Sequence, residues 1–314
     1  MVRWCGEPVR VADATVLTIG VFDGLHVGHQ ALIGETVASA RGQGLLAACL
    51  TFFPSPDVVL RGQEPRYLLP LTERVELMSA LGLDLIIVTK FGPEMAAMGA
   101  AEFMQRLGYS FRPRQVWVGE DFALGRQREG NLEALATIGR ELGYELCVVP
   151  RCRVGDEVVS STLVRRYLAE GRVARVAELL GRAYTVSGPV VPGAGRGRSL
   201  GYPTANVAVD QHKLLPADGV YCARLEWNGR SAPAVVNIGV RPTFEGSART
   251  VEAHALDFGG DLYGERLTVA FLERLRGETR FPGAHELVAQ LARDVEEARR
   301  VLEVGAAAEA RRGV

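Results

Sequence analysis

At 314 residues, 47% of them hydrophobic, the chain is long enough to bury two substantial cores, which excludes a short scaffold held together by disulfides. Its 36 Lys and Arg balance 37 Asp and Glu to a net charge of -1 and are scattered, so neither nucleic acid nor an anionic membrane surface is expected as a partner. Five cysteines (Cys5, Cys49, Cys147, Cys152 and Cys222) without a metal-type cluster, no apolar run that could span a bilayer and no signal-peptide pattern together lead us to expect a cytoplasmic protein.

The first clear element is an apolar run at 16–21, suited to a buried strand, which stops at the glycine-rich turn Gly20-x-Phe22-Asp23-Gly24-x-His26-x-Gly28-His29. An amphipathic stretch at 30–40 suits the helix that follows, so His26 and His29 start that helix, three residues apart on one face. There they stand beside unpaired amide N–H groups and the positive end of the helix dipole, where a nucleotide phosphate is stabilised. A histidine pair is also compatible with part of a metal site, but no cysteine or further histidine lies near enough in sequence to complete one.

Strand candidates recur at 45–52, 83–89, 115–118 and 145–149, with helices such as 72–80 between them. This alternation predicts a parallel sheet with helices on both faces and ligands beyond the carboxyl ends of its strands. Val159-Ser160-Ser161-Thr162-Leu-Val-Arg165 follows at a strand-to-helix junction; taken alone, it is also compatible with a helix cap. A helical pattern at 173–180 precedes a change of character at Gly181-Arg-Ala-Tyr184, which divides the chain into domains 1–182 and 183–314.

Beyond the boundary, short β-type runs at 185–187, 219–225, 234–237, 250–256 and 267–272 are separated by glycine, proline and asparagine, as in a small antiparallel barrel. A helical pattern at 286–302 closes the domain, and the tail 305–314 is expected to fray. No internal repeat or long linker is present. The loop Gly193-Ala-Gly-Arg-Gly-Arg-Ser-Leu-Gly-Tyr-Pro-Thr-Ala-Asn206 has glycines, Gly195, Gly197 and Gly201 among them, that let amides approach phosphate oxygens, and Arg196 and Arg198 are candidates to close over them. The Thr204 hydroxyl and Asn206 amide are suited to holding a magnesium ion between phosphates. Standing alone, such a loop would read as a surface turn.

The first turn resembles the His-x-Gly-His signature of nucleotidyltransferases, and Ser160-Ser161-Thr162-Leu-Val-Arg165 resembles the Ser-Ser/Thr-x-x-Arg element with which those enzymes hold ATP phosphates. The 193–206 loop, together with Leu215-Pro-Ala-Asp-Gly-Val-Tyr221, Asn237-Ile-Gly-Val-Arg-Pro-Thr243, Val251-Glu252-Ala-His254 and Asp261-Leu-Tyr-Gly264, resembles the riboflavin kinase domain over nearly its whole length. In this order, over 16–302, the chain resembles the bacterial bifunctional riboflavin kinase and FAD synthetase family. The resemblance implies a Rossmann-like α/β nucleotidyltransferase domain followed by a small antiparallel β-barrel kinase domain with a C-terminal helix.

It further implies phosphorylation of riboflavin to FMN and adenylyl transfer from ATP to FMN, with flavins as substrates and products, ATP, riboflavin and FMN as partners, and Mg2+ accompanying ATP. Homo-oligomerisation is left open. Catalytic roles fall on His26, His29 and Glu252, the last accepting the proton of the attacking hydroxyl. Nucleotide contacts of the adenylyltransferase fall on Gly20, Phe22, Asp23, Gly28, Ser161, Thr162 and Arg165, and those of the kinase on Gly195, Gly197, Gly201, Thr204 and Asn206, with the metal at Thr204 and Asn206. Gly119-Glu-Asp121-Phe122-Ala-Leu-Gly125 resembles a further family element and marks Gly119 and Asp121 beside the flavin or nucleotide pocket.

On an alternating strand Glu252 is also compatible with a solvated outward carboxylate, and His254, on the same face, is read as a packing or hydrogen-bonding residue. The chain departs from its relatives in Thr51-Phe-Phe-Pro-Ser-Pro56, where they carry a histidine, and in Ala123-Leu124, where they carry Arg-Phe; both departures bear on flavin binding in the first domain. Two other readings stay open: a riboflavin kinase whose first domain has changed nucleotidyltransferase specificity, and a non-catalytic flavin or nucleotide sensor.

Overall fold

The computed structural model describes residues 2–5, 10–62, 64, 66–193, 197, 200–243 and 246–312, with the side chains of 2–5, 241–243, 246–248 and 305–312 left aside. Gly195, Arg196 and Arg198 therefore lie outside the described residues. Contacts divide the chain into two compact units, Met1–Ser161 and Thr162–Val314.

The first unit is built on six strands: β1 (Val2–Cys5), β2 (Thr15–Ile19), β3 (Leu46–Phe52), β4 (Leu85–Thr89), β5 (Pro113–Gly119) and β6 (Glu145–Val149). They form one parallel sheet in the order β1-β4-β3-β2-β5-β6. Helices α1 (Val27–Gln43), α2 (Pro56–Arg61), α3 (Leu71–Ala80), α4 (Pro93–Ala97), α5 (Ala100–Phe111) and α6 (Leu132–Leu142) connect them. Because side chains alternate along a strand, the sheet feeds two cores. Leu17, Leu50, Ile87 and Val116 face Phe103, Met104 and Leu135 of α5 and α6, whereas Val16, Cys49 and Ile86 face Leu32 and Ile33 of α1 and Met78 of α3. The chain winds outward from β2 in both directions, so the crevice beyond the carboxyl ends of β2 and β5 is the switch point at which such sheets bind ligands. A small hairpin, β7 (Arg153–Val154) and β8 (Glu157–Val158), follows the sheet.

Strands β2 to β6 run within two residues of the expected ones, whereas the sequence pattern does not mark β1, β7 or β8; α1 starts at Val27, with the histidines at its start as expected and the His26 side chain capping it. The cap residue and the first turn bury no apolar side chain, so no apolar periodicity marks them.

The second unit begins with α7 (Ser161–Ala169), whose first residue still counts with the first unit, and α8 (Val173–Leu180). Strands β9 (Tyr184–Val191), β10 (Ala205–Val207), β11 (Gly219–Trp227), β12 (Arg230–Thr243), β13 (Gly246–Ala255) and β14 (Arg266–Arg276) close into an antiparallel barrel in the order β10-β13-β12-β11-β14-β9. Tyr221, Ala223, Val236, Ala253 and Phe271 are buried, with Tyr221 and Phe271 ring against ring at 5.3 Å. Outside the barrel, Val220, Cys222 and Val235 pack with Ala298 and Val295 of the C-terminal helix α9 (Ala284–Arg312).

The long β12 and β13 extend well past the short apolar runs that mark them in sequence, paired as far as Thr243 and Gly246. Ladder hydrogen bonds carry these ends past the point where apolar residues run together. Likewise α9 stays helical to Arg312 where fraying is expected; its last turns are rich in alanine, the strongest helix former. Among the described residues no helix is long and apolar enough to cross a membrane.

Candidate active sites

The turn after β2 is held from several sides. Gly24 takes φ +82°, and a Cβ there would stand 2.7 Å from Leu68 Cδ1, so glycine is the residue that fits. The buried carboxylate of Asp23 accepts the amides of Leu68 and Leu69 at 3.1 and 3.0 Å, clamping the 67–69 segment to the turn. Ser161 Oγ donates to the carbonyl of Asp23 at 2.8 Å, so the second sequence signature reaches the first. Thr162 is exposed and Arg165 half-buried on α7 within the second unit.

His26 is the N-cap of α1: its Nδ1 accepts the His29 amide at 3.2 Å, so that nitrogen carries no proton and Nε2 does. The two imidazoles stack with centroids 3.6 Å apart, and the Phe22 ring meets His29 edge-on at 5.2 Å. Burial, His26 and the Arg74 guanidinium hold the His29 pKa well below its ordinary value, so His29 is neutral at physiological pH. Its Nδ1 is buried without a hydrogen-bond partner. Gly28 leaves space for His26: a Cβ there would lie 3.3 Å from the imidazole and 3.4 Å from Cys152 Cβ.

A cleft of about 460 Å³ opens at this switch point and is lined by Gly20, Phe22 and His29 from the first turn and by Gly119 and Asp121 after β5. The structure thus brings together residues nearly 100 positions apart in the chain. The departures from the family pattern also sit here, with Phe52 and Pro56 on one side and Ala123 and Leu124 on the other. Sequence reading missed Phe91, Met95, Met98 and Arg128 in the wall. The methionines stand in a short polar-flanked helix and its cap, where no periodicity singles them out.

In the barrel, Glu252 on β13 stands directly opposite Asn206 on β10 and Asn237 on β12. Its buried neighbours Val251 and Ala253 face inward, so Glu252 faces outward. Rather than meeting open solvent, it lines a cavity of about 290 Å³ with Thr204, Asn237, His254 and Glu278, roofed by Leu287 and Leu291 of α9. His254 Nδ1 lies 2.8 Å from the Pro203 carbonyl, with Tyr202 edge-on at 5.4 Å, the supporting role expected of it. Thr204 also lines a second, smaller cavity with Asn206, Gly193 and Asp261.

The Asn206 amide lies over Gly193, where a Cβ would stand 2.0 Å from Nδ2. A Cβ on Gly197 would meet the Tyr202 carbonyl at 2.2 Å, so this glycine permits a tight loop, while Gly201 takes φ +82° in open space. Asn237 could have been read as a polar residue inside an apolar run; Glu278, beyond the end of β14, carried no such signal. The roof is pinned by Arg276, whose guanidinium makes a two-pronged ion pair with Asp294 of α9 at 2.9 and 2.8 Å.

The FAD synthetase family model matches residues 9–163 and the riboflavin kinase family model residues 180–302. The bifunctional riboflavin kinase/FMN adenylyltransferase of Listeria monocytogenes is 35% identical over 289 residues, covering 90% of this chain and 91% of that protein. Those of Escherichia coli K12 and Bacillus subtilis are 36% and 32% identical, again covering 90% of this chain and 91% of each relative. A crystal structure described as a macrolide-efflux protein from Streptococcus pneumoniae superposes with a TM-score of 0.89 at 30% identity, covering 95% of this chain and 98% of that one. With both family models matched in order and relatives of this identity along nine-tenths of its length, the chain belongs to the bifunctional riboflavin kinase/FMN adenylyltransferase family.

Proposed function

We propose that the two sites act in sequence on one flavin: the barrel phosphorylates riboflavin with ATP, giving FMN and ADP, and the α/β unit transfers AMP from ATP to FMN, giving FAD and pyrophosphate. The observation that carries this reading is His29, stacked on the His26 cap at the start of α1 and lining with Asp121 one cleft at the switch point of the sheet.

In adenylyl transfer the FMN phosphate is already an anionic nucleophile. Its oxygen bonds to the ATP α-phosphorus as the α–β anhydride bond breaks, and no covalent enzyme intermediate is required. What the transition state requires is stabilisation of charge on the α-phosphoryl and the leaving pyrophosphate. We assign this to the α1 N-terminus, His26 and His29, with Gly20, Phe22, Asp23 and Gly28 shaping the turn. Ser161, Thr162 and Arg165 hold the outer phosphates, and Gly119 and Asp121 border the flavin and nucleotide.

In the kinase step Glu252 takes the proton of the ribityl hydroxyl as its oxygen attacks the γ-phosphorus and ADP leaves. Gly195, Gly197 and Gly201 belong to the loop that lets amides approach the phosphates. Thr204 and Asn206 fit a magnesium ion: they carry neutral oxygens two residues apart, Thr204 just before β10 and Asn206 on it, with Glu252 opposite Asn206 in the ladder. Bound there, magnesium would neutralise phosphate charge. We assign the two activities to 1–182 and 183–314, although contacts group α7 and α8 with the barrel. ATP use in both steps and the free thiols of Cys49, Cys147, Cys152 and Cys222 support a cytoplasmic setting.

The test is chromatography of flavins after incubating the purified chain with ATP and magnesium and either riboflavin or FMN. FAD in both tubes supports the sequence of two steps; a stop at FMN refutes adenylyl transfer to FMN by the first unit.

A further inference from the structure

Helix α3 sets Leu71, Val75 and Met78 into the core at the i, i+4 and i+7 positions of an apolar stripe, and the i+3 position on that stripe is Arg74. Arg74 is 0% exposed. A leucine or methionine there would complete the core, whereas burying a guanidinium costs several kcal/mol before its hydrogen bonds are made. Something other than packing therefore favours the charge.

The atoms it touches point to the phosphate turn. Nη1 donates to the Val21 carbonyl at 2.8 Å and lies 3.4 Å from Thr51 Oγ1 and from the Phe52 carbonyl; Nη2 lies 3.5 Å from the Leu69 carbonyl. Thr51 Oγ1 itself donates to Val21 at 3.0 Å, and the Tyr67 ring lies 5.8 Å from the guanidinium. Val21 is the residue between Gly20 and Phe22, so Arg74 grips the turn from inside the protein, opposite the cleft. Its Nε has no hydrogen-bond partner. Asp23, the carboxylate that acts on it most strongly, already accepts the Leu68 and Leu69 amides.

We propose that Arg74 is a positioning residue of adenylyl transfer: a dry, permanently charged guanidinium that fixes the Val21 carbonyl behind the phosphate turn and adds a positive field to the α1 N-terminus, where the triphosphate sits. An arginine suits this because it stays protonated when buried and its planar fork serves several carbonyls at once. In water-poor surroundings such a charge acts over longer distances than a surface lysine. The field also opposes a proton on His29, which feels His26 from the same helix end and Arg74 from α3, with Asp57, Asp121 and Arg128 around the cleft and Asp23 in the turn. The inference rests on the cleft being the adenylyl-transfer site.

The experiment measures FAD formation from FMN in the full-length chain, with kcat and KM for ATP taken from pH 5 to 9, for wild type, Arg74→Lys and Arg74→Gln; FMN formation by the barrel is the internal control. If wild type makes FMN but no FAD, the reading of the cleft fails, and this inference with it. If wild type makes FAD, Arg74→Gln is expected to raise KM for ATP at least tenfold and to move the acidic limb to higher pH, because loss of a positive neighbour makes His29 more basic. Arg74→Lys is expected to stay within tenfold of wild type with the limb unmoved. Equal loss in both variants, or Gln matching wild type, overturns the proposal. Should Arg74→Gln not fold, as judged by thermal melting, Arg74→Lys decides alone: activity within tenfold of wild type upholds the role of the charge, and a greater loss overturns it.

Discussion

Single side chains carry the proposed chemistry in both units, and each has a measurable signature. Glu252 lines its cavity with an asparagine opposite on either side, so Glu252→Gln keeps the shape and removes the proposed base. FMN formation should fall by about 10²- to 10⁴-fold while FAD formation from added FMN is unchanged, read by chromatography of both products. His29 gives a pH dependence of stability. Its folded pKa lies well below the unfolded value near 6.5, so below that value the unfolded chain binds a proton that the folded one refuses. Stability is therefore fully present above about pH 6.5 and declines as pH falls toward the lowered folded value. Melting curves between pH 7.5 and 5 should show this decline, and His29→Gln should flatten it; an equally steep decline in the variant would sink the assignment.

At the level of elements, α1 works because its first turn is kept bare. Gly28→Ala would place a methyl 3.3 Å from the His26 imidazole, with the Cys152 Cβ at 3.4 Å blocking retreat on the other side. The ring must give by a few tenths of an ångström at its cap position, and we expect FAD formation to fall by up to about tenfold, since a misplacement of ~1 Å costs about 100-fold at a transfer site. Steady-state kinetics with an intact kinase step would check it. Helix α9 is held by its apolar face and by ion pairs, of which Arg276–Asp294 is the buried one. Asp294 is 3% exposed and Arg276 21%, so Asp294→Ala leaves a largely buried guanidinium unpaired, at a cost of about 3 kcal/mol. Because α9 roofs the cavity containing Glu252, the second unit should melt earlier and KM for riboflavin should rise, with FMN adenylylation unaffected.

Across the whole molecule, the change of sequence character at Gly181 and the boundary between compact units after Ser161 do not coincide. Helix α8 buries Val173, Val176, Leu179 and Leu180 and packs on β14 and β9 of the barrel. A fragment 183–314 would expose what those four residues cover, about 1.5–3 kcal/mol for each. We expect residues 162–314 to be the more stable and more active kinase fragment in thermal melting and FMN assays, and equal stability of the two fragments would show that α8 contributes nothing to the barrel.

The alternating apolar runs, the two-histidine turn and the series of short strands between glycines and prolines determined the fold class and the order of units, and the family resemblance of the motifs between them supplied the residues assigned to chemistry. They did so because burial imposes a period on strands and helices, and phosphate handling confines histidine, glycine and serine to strand-to-helix junctions. Only the tertiary structure decided that Asp23 clamps the 67–69 segment, that Glu252 faces a roofed cavity rather than solvent, that Asn237 is its neighbour, and that Arg74 supports the turn from behind. These relations join residues distant in sequence through strand register and sheet order, and such pairing leaves no periodic trace in either partner.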